Sequence, residues 1–162
     1  MNRFIVSLSL LLVLGVTLCL AQEQSKTAAK GQEKSLYDRL GGTYAIATVV
    51  DDFIERLLVN DVLNTNPAIK HARDHVPKAG LKFRVTALVC QVTGGPEMYK
   101  GRNMYDAHKH LNITDKEWQA MVTDFKKTLD KFNVPAKEQQ ELITIVESTK
   151  KDIVVTGAGV KK

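Results

Sequence analysis

Apolar residues recur every three or four positions through most of the chain from Ser35 to Val155, and nowhere do they alternate with period two over a convincing length. The stripe Ile46, Val49, Val50, Phe53, Ile54, Leu57, Leu58 predicts a long amphipathic helix, with Asp51, Asp52, Glu55 and Arg56 on its wet side. Ahead of it, Ser35 to Leu40 predicts a short helix. Ser35 and Asp38 have the spacing of a capping box, and Gly41-Gly42 stops the turn. Thr43 is then the candidate cap of the long helix. Leu81, Val85, Leu88, Val89 and Val92 predict a third helix with one apolar face, ended by Gly94-Gly95-Pro96. Asn103 to Leu111 predicts a short helix aligning Met104, His108 and Leu111. Thr114 and Glu117 form a second capping box, opening a helix with Trp118, Met121, Val122, Phe125 and Leu129 on its apolar side. Pro135 suits the first turn of a last helix carrying Leu142, Ile145, Val146 and Ile153. Between Asn60 and Lys78 lie two prolines and little period, so an irregular connection is expected there. The fold class is all-α, with one domain over residues 35–155, a flexible lead at 22–34 and a fraying tail at 156–162.

The N-terminus follows a different pattern. Arg3 precedes an uncharged, mostly apolar run from Phe4 to Leu20, and Ala21 stands before the polar Gln22. Charge, apolar core and a small residue at the cut predict a signal peptide over residues 1–21 and an exported, periplasmic or secreted, protein. An uncleaved membrane anchor is the alternative, because the run is nearly long enough to span a bilayer. Lipidation through Cys19 is disfavoured by the bulky Leu18. Cleavage leaves Cys90 as the one thiol, so the mature chain could form no internal disulfide.

Composition narrows the classes. With 162 residues, 44% hydrophobic and 25% charged, the chain is an ordinary globular one rather than a disordered or polytopic membrane protein. Two cysteines exclude four-cysteine zinc or iron–sulfur frameworks. The net charge of +5 forms no basic stripe, which speaks against a nucleic-acid partner.

The candidate chemistry lies in four histidines. His108 falls on an apolar helix face, where pattern alone reads as a satisfied core residue or as a ligand. His110 lies about 200° further around the same helix and cannot share its site. His71 and His75 would share a face and could chelate a metal if their segment were helical; the prolines favour a solvated loop. Cys90, between Val89 and Val92, reads as a buried thiol.

Three stretches, in order, resemble the group I truncated haemoglobins. They are Leu36-Tyr37-Asp38-Arg39-Leu40-Gly41-Gly42 with Phe53-Ile54-Glu55-Arg56; Gly94-Gly95-Pro96 with Tyr99, Gly101, Arg102, Met104 and Ala107-His108; and Ile113-Thr114, Trp118 and Val134-Pro135. The resemblance implies a truncated globin-like two-over-two helical sandwich around a haem (iron protoporphyrin IX). It places the proximal, metal-ligating histidine on His108, so that the iron is pentacoordinate. By the same resemblance Met104, Ile113, Trp118 and Met121 pack the proximal side. Phe53, Ile54, Leu81, Val85, Leu88 and Val89 wall the distal side, and Lys82 and Tyr99 are candidates to meet the propionates. The second ring nitrogen of the ligand should donate to a carbonyl, which fixes its tautomer. The implied partners are a diatomic gas (oxygen, carbon monoxide or nitric oxide) and an unidentified electron donor, with no nucleic acid, and a membrane only if the signal is retained.

The chain departs from the family pattern at three positions. Members usually carry a tyrosine where this chain has Ile54, and many carry glutamine at Leu81, Val85 or both. Each lost hydrogen bond to a polarised gas would cost about 1–1.5 kcal/mol, or roughly tenfold in affinity. Weaker retention of oxygen is therefore expected, with a relative preference for carbon monoxide or nitric oxide. The connection from Asn60 to Lys78 also lacks the family's paired aromatics; a sixth iron ligand from His71 or His75 is the less favoured arrangement. Two further readings stay open: a haem enzyme (nitric oxide dioxygenase or peroxidase-like) fed by an external reductant, and a helical interaction module without haem.

Overall fold

The structure, a computed structural model, describes residues 33–95 and 99–155. The expected signal, the lead as far as residue 32 and the tail from 156 lie outside the described residues. Nine helices occur among the described residues: α1 Leu36–Arg39, α2 Gly42–Val59, α3 Asp61–Asn64, α4 Pro67–His75, α5 Lys78–Val92, α6 Met104–His108, α7 Asp115–Lys131, α8 Ala136–Ser148 and α9 Lys150–Ile153. There is no strand among them; one isolated parallel bridge joins Ile113 to Val154.

Both capping boxes form. Ser35 Oγ accepts from the Asp38 amide while Asp38 accepts from Ser35, and Thr114 and Glu117 repeat the exchange at α7. Four expectations are corrected. Asn60 to Lys78 is not irregular: Asn60 caps α3 through the Leu63 amide, and Asn66 caps α4 through the amides of Ala68 and Ile69. Pro67 occupies the first turn of α4, where its missing N–H costs nothing, so it starts a helix instead of breaking one. Thr43 does not cap α2; Gly41, at φ 90°, precedes the first turn, and the Thr43 hydroxyl pairs with Tyr37 Oη at 2.8 Å. At the end of α5, Val92 is exposed while Cys90 and Thr93 are buried, Cys90 against α2 and Thr93 with its carbonyl accepting from the Tyr37 amide of α1. The last helix also breaks at Thr149, which separates α9 from α8.

The core has three parts. Leu36, Phe125, Leu129 and Leu142 join α1, α7 and α8, with Phe53 set edge-on to Phe125 at 5.1 Å. Ile46, Val50, Ile54 and Cys90 join α2 to α5, which pack closely against each other. Trp118, Val122 and Val154 join α7 to the C-terminal turn. Arg39 ties α1 to α8 through Glu138 (2.9 Å) and Glu141 (2.5 Å), and Asn60 donates to the buried Asp124 of α7 at 2.5 Å.

Candidate functional site

His108 ends the five-residue helix α6, which opens on an Asn103 cap that accepts from the Asp106 amide. The half-buried imidazole places Nδ1 2.8 Å from the carbonyl oxygen of Met104, one turn back on the same helix. A carbonyl only accepts, so Nδ1 carries the proton and Nε2 keeps the lone pair. Burial is the largest influence on this ring and pushes its pKa below the ordinary histidine value. The bond to Met104 opposes that shift, while His110 and Arg102 add to it. A neutral ring with a fixed tautomer is what a metal requires of a histidine.

Packing sorts the other candidate residues into two groups. Phe53, Ile54, Leu81, Val85 and Val89 all pack in the α2–α5 cluster, with Ile54 only 3% exposed. Ile113 and Met121 pack against Trp118 in the cluster on α7, whose indole Nε1 is buried with no hydrogen-bond partner among the described residues. Leu88 and Met104 are half-buried and join neither group. The helix α6 rests chiefly on α9, while α5 rests on α2, so His108 and the aliphatic wall belong to different packing units. Two surface depressions, one at Arg56, Asn60 and Asp124 and the other at Glu147, Lys150 and Val154, lie outside this set of residues.

The two polar candidates have protein partners. Lys82 Nζ lies 2.6 Å from Asp51 and 2.5 Å from Glu55; hydrogen bonds to Asp51 and then Glu55 raise its pKa. Tyr99 donates its hydroxyl to the Arg102 carbonyl at 2.9 Å and its amide to Gln91 at 2.6 Å. Gly101 is required by this fold-back, because a Cβ there would stand 2.1 Å from the Tyr99 hydroxyl oxygen. His71 and His75 are exposed on α4 with rings stacked at 4.0 Å, and His110 is also exposed. The residue that the sequence reading passed over is Val154. It is buried against Trp118 and bridges to Ile113, and Val155 N donates to the Ile113 carbonyl at 2.9 Å. Its signal was the apolar run Ile153-Val154-Val155, read as the end of a helix.

A family model described as bacterial-like globin matches residues 35–155. The chain belongs to the bacterial-like globin family. Its relatives put this globin on the truncated branch. It is 27% identical over 120 residues to a group 1 truncated hemoglobin of Tetrahymena pyriformis, covering 74% of this chain and 94% of that one. It is 34% identical over 105 residues to the one of Synechocystis, covering 62% and 80%. Among solved structures, the 2/2 hemoglobin of Synechococcus sp. PCC 7002, which has covalently attached haem, superposes with a TM-score of 0.67 at 26% identity, covering 75% of this chain and 98% of that one. The fold is thus the all-α truncated globin fold, and membership of the family makes haem the cofactor of this chain.

The residues fit that group. A haem needs apolar walls and one neutral imidazole donor. His108 has such an imidazole, with Nε2 free of the Met104 contact, and Leu81, Val85, Leu88, Met104 and Met121 are apolar side chains left only half-buried by the protein itself.

Proposed function

We propose that this globin holds its haem through His108 alone and reversibly binds a diatomic gas on the opposite side, and that it does so outside the cytoplasm. When bound, the haem supplies an iron with an open position for oxygen, carbon monoxide or nitric oxide. The observation that carries the reading is the 2.8 Å contact of His108 Nδ1 with the Met104 carbonyl, which leaves Nε2 as the iron donor. On the wall that the family pattern puts opposite, Ile54, Leu81 and Val85 are aliphatic and bring no hydrogen-bond donor. Oxygen, which gains most from a donor, is held less well than in a pocket with tyrosine or glutamine. The same side chains offer no acid or base with which to split a peroxide, which favours gas binding over peroxidase chemistry.

Visible spectra of the reduced, hemin-loaded protein with and without carbon monoxide test the reading, with His108→Ala alongside. The expected result is a carbon monoxide shift in the parent and loss of the parent spectrum in the variant. A parent that stays colourless, or a variant with an unchanged spectrum, overturns it. Export is tested by the N-terminus of the mature protein, expected at Gln22.

A further inference from the structure

The pair His71 and His75 is left unused by the haem site. The two are one turn apart on α4, a helix of nine residues that presents no buried side chain. Both are exposed, and their rings stand 4.0 Å apart between centroids at 28°. His75 Nδ1 lies 2.8 Å from the His71 carbonyl oxygen, so the proton is on Nδ1 and the Nε2 lone pair faces away from the backbone. The nearest carboxylate in sequence, Asp74, is taken by Arg73 Nε at 3.1 Å, and Arg73 also donates to Asn64 at 2.6 Å.

We propose that His71 and His75 form a two-imidazole chelate for a borderline divalent transition metal, copper above zinc. Imidazole suits these ions, and copper leads the affinity order for nitrogen sites. The rings are stacked, so their in-plane lone pairs run side by side, and rotation of the two exposed side chains, one turn apart on the same face, brings them onto one ion. No group of three or more histidine, cysteine or acidic side chains among the described residues could hold a metal, so water completes the coordination and the ion exchanges readily. The ion also acts on the helix. A helix this short gains little from its own hydrogen bonds, and a metal clamped across one turn staples it. The haem plays no part in this site, so the outcome is independent of iron ligation.

The test uses the haem-loaded full chain, titrated with zinc chloride by calorimetry and with copper(II) by electron paramagnetic resonance. His71→Ala, His75→Ala and His110→Ala are run in parallel. One ion per chain is expected, with two nitrogens on copper. Either α4 variant should weaken binding about tenfold or more, because the second ligand acts at high effective concentration; His110→Ala should not. Zinc should also slow amide exchange over residues 67–75 in the parent and in His110→Ala, and in neither α4 variant. The proposal falls if the parent binds no ion, if the α4 variants bind as the parent does, or if His110→Ala weakens binding as much as they do.

Discussion

The wall of Ile54, Leu81 and Val85 stands on two long helices packed against each other, whereas His108 stands on a five-residue helix resting on the C-terminal turn. The first is shaped by aliphatic side chains far apart in sequence, meshed around the fully buried Cys90. The second is shaped by polar contacts within a turn: the Asn103 cap, the bond from His108 to Met104 and the Thr114–Glu117 box. On the proposed function, nonlocal packing therefore sets what the gas meets, and local hydrogen bonding sets how the iron is held. Substitutions on one side should change gas retention and on the other haem retention.

The largest expected effect is on the histidine side. Trp118→Ala should cost about 3 kcal/mol, at the low end for a buried indole, because it also removes an N–H with no partner. Urea unfolding measures this, and haem should dissociate faster from the same variant. An equal loss of haem from Ile54→Ala would break the comparison. Next comes Ile54→Tyr, which restores a donor on the wall and should slow oxygen release about tenfold, with carbon monoxide release little changed. Stopped-flow rates check it, and unchanged oxygen release would mean that the wall is not where the gas sits.

A smaller effect is expected at the strut between the two regions. Asp52 on α2 accepts from Thr128 of α7 at 3.1 Å and from Arg56 at 2.8 Å, and it pairs with Lys131. Lys131 first, and Arg56 and Thr128 after it, outweigh burial and hold the Asp52 carboxyl down at about 2. A depressed carboxyl adds stability above its unfolded value, and that stability is lost as pH falls from about 4 toward 2. Allowing for solvent, the loss is about 1 kcal/mol. Acid unfolding of Asp52→Asn against the parent checks it, and the variant should have the flatter profile. The smallest effect is Lys82→Ala. This lysine's ion pairs lie at the surface, so the urea midpoint should barely move. A larger change would show that those pairs, not the aliphatic mesh, set the wall.

The helical faces and both capping boxes were legible because each depends on residues three or four apart, a spacing that the sequence displays directly. The helix α4 was not. A proline and two asparagines read as a loop until it is known that Asn66 caps the helix and Pro67 begins it. His108 and the aliphatic positions proposed to stand opposite it came from the resemblance to the family; by pattern alone that histidine was as readable as core. What the order of residues settled by itself is the helices with a clear apolar stripe and the two capping boxes, whose partners lie three or four positions apart. What only the folded chain decided is that Lys82 meets Asp51 and Glu55, that Val154 returns to Ile113, and that Cys90 rather than Val92 turns inward. These partners are distant along the chain, and no periodicity within one helix encodes which distant surface that helix will meet.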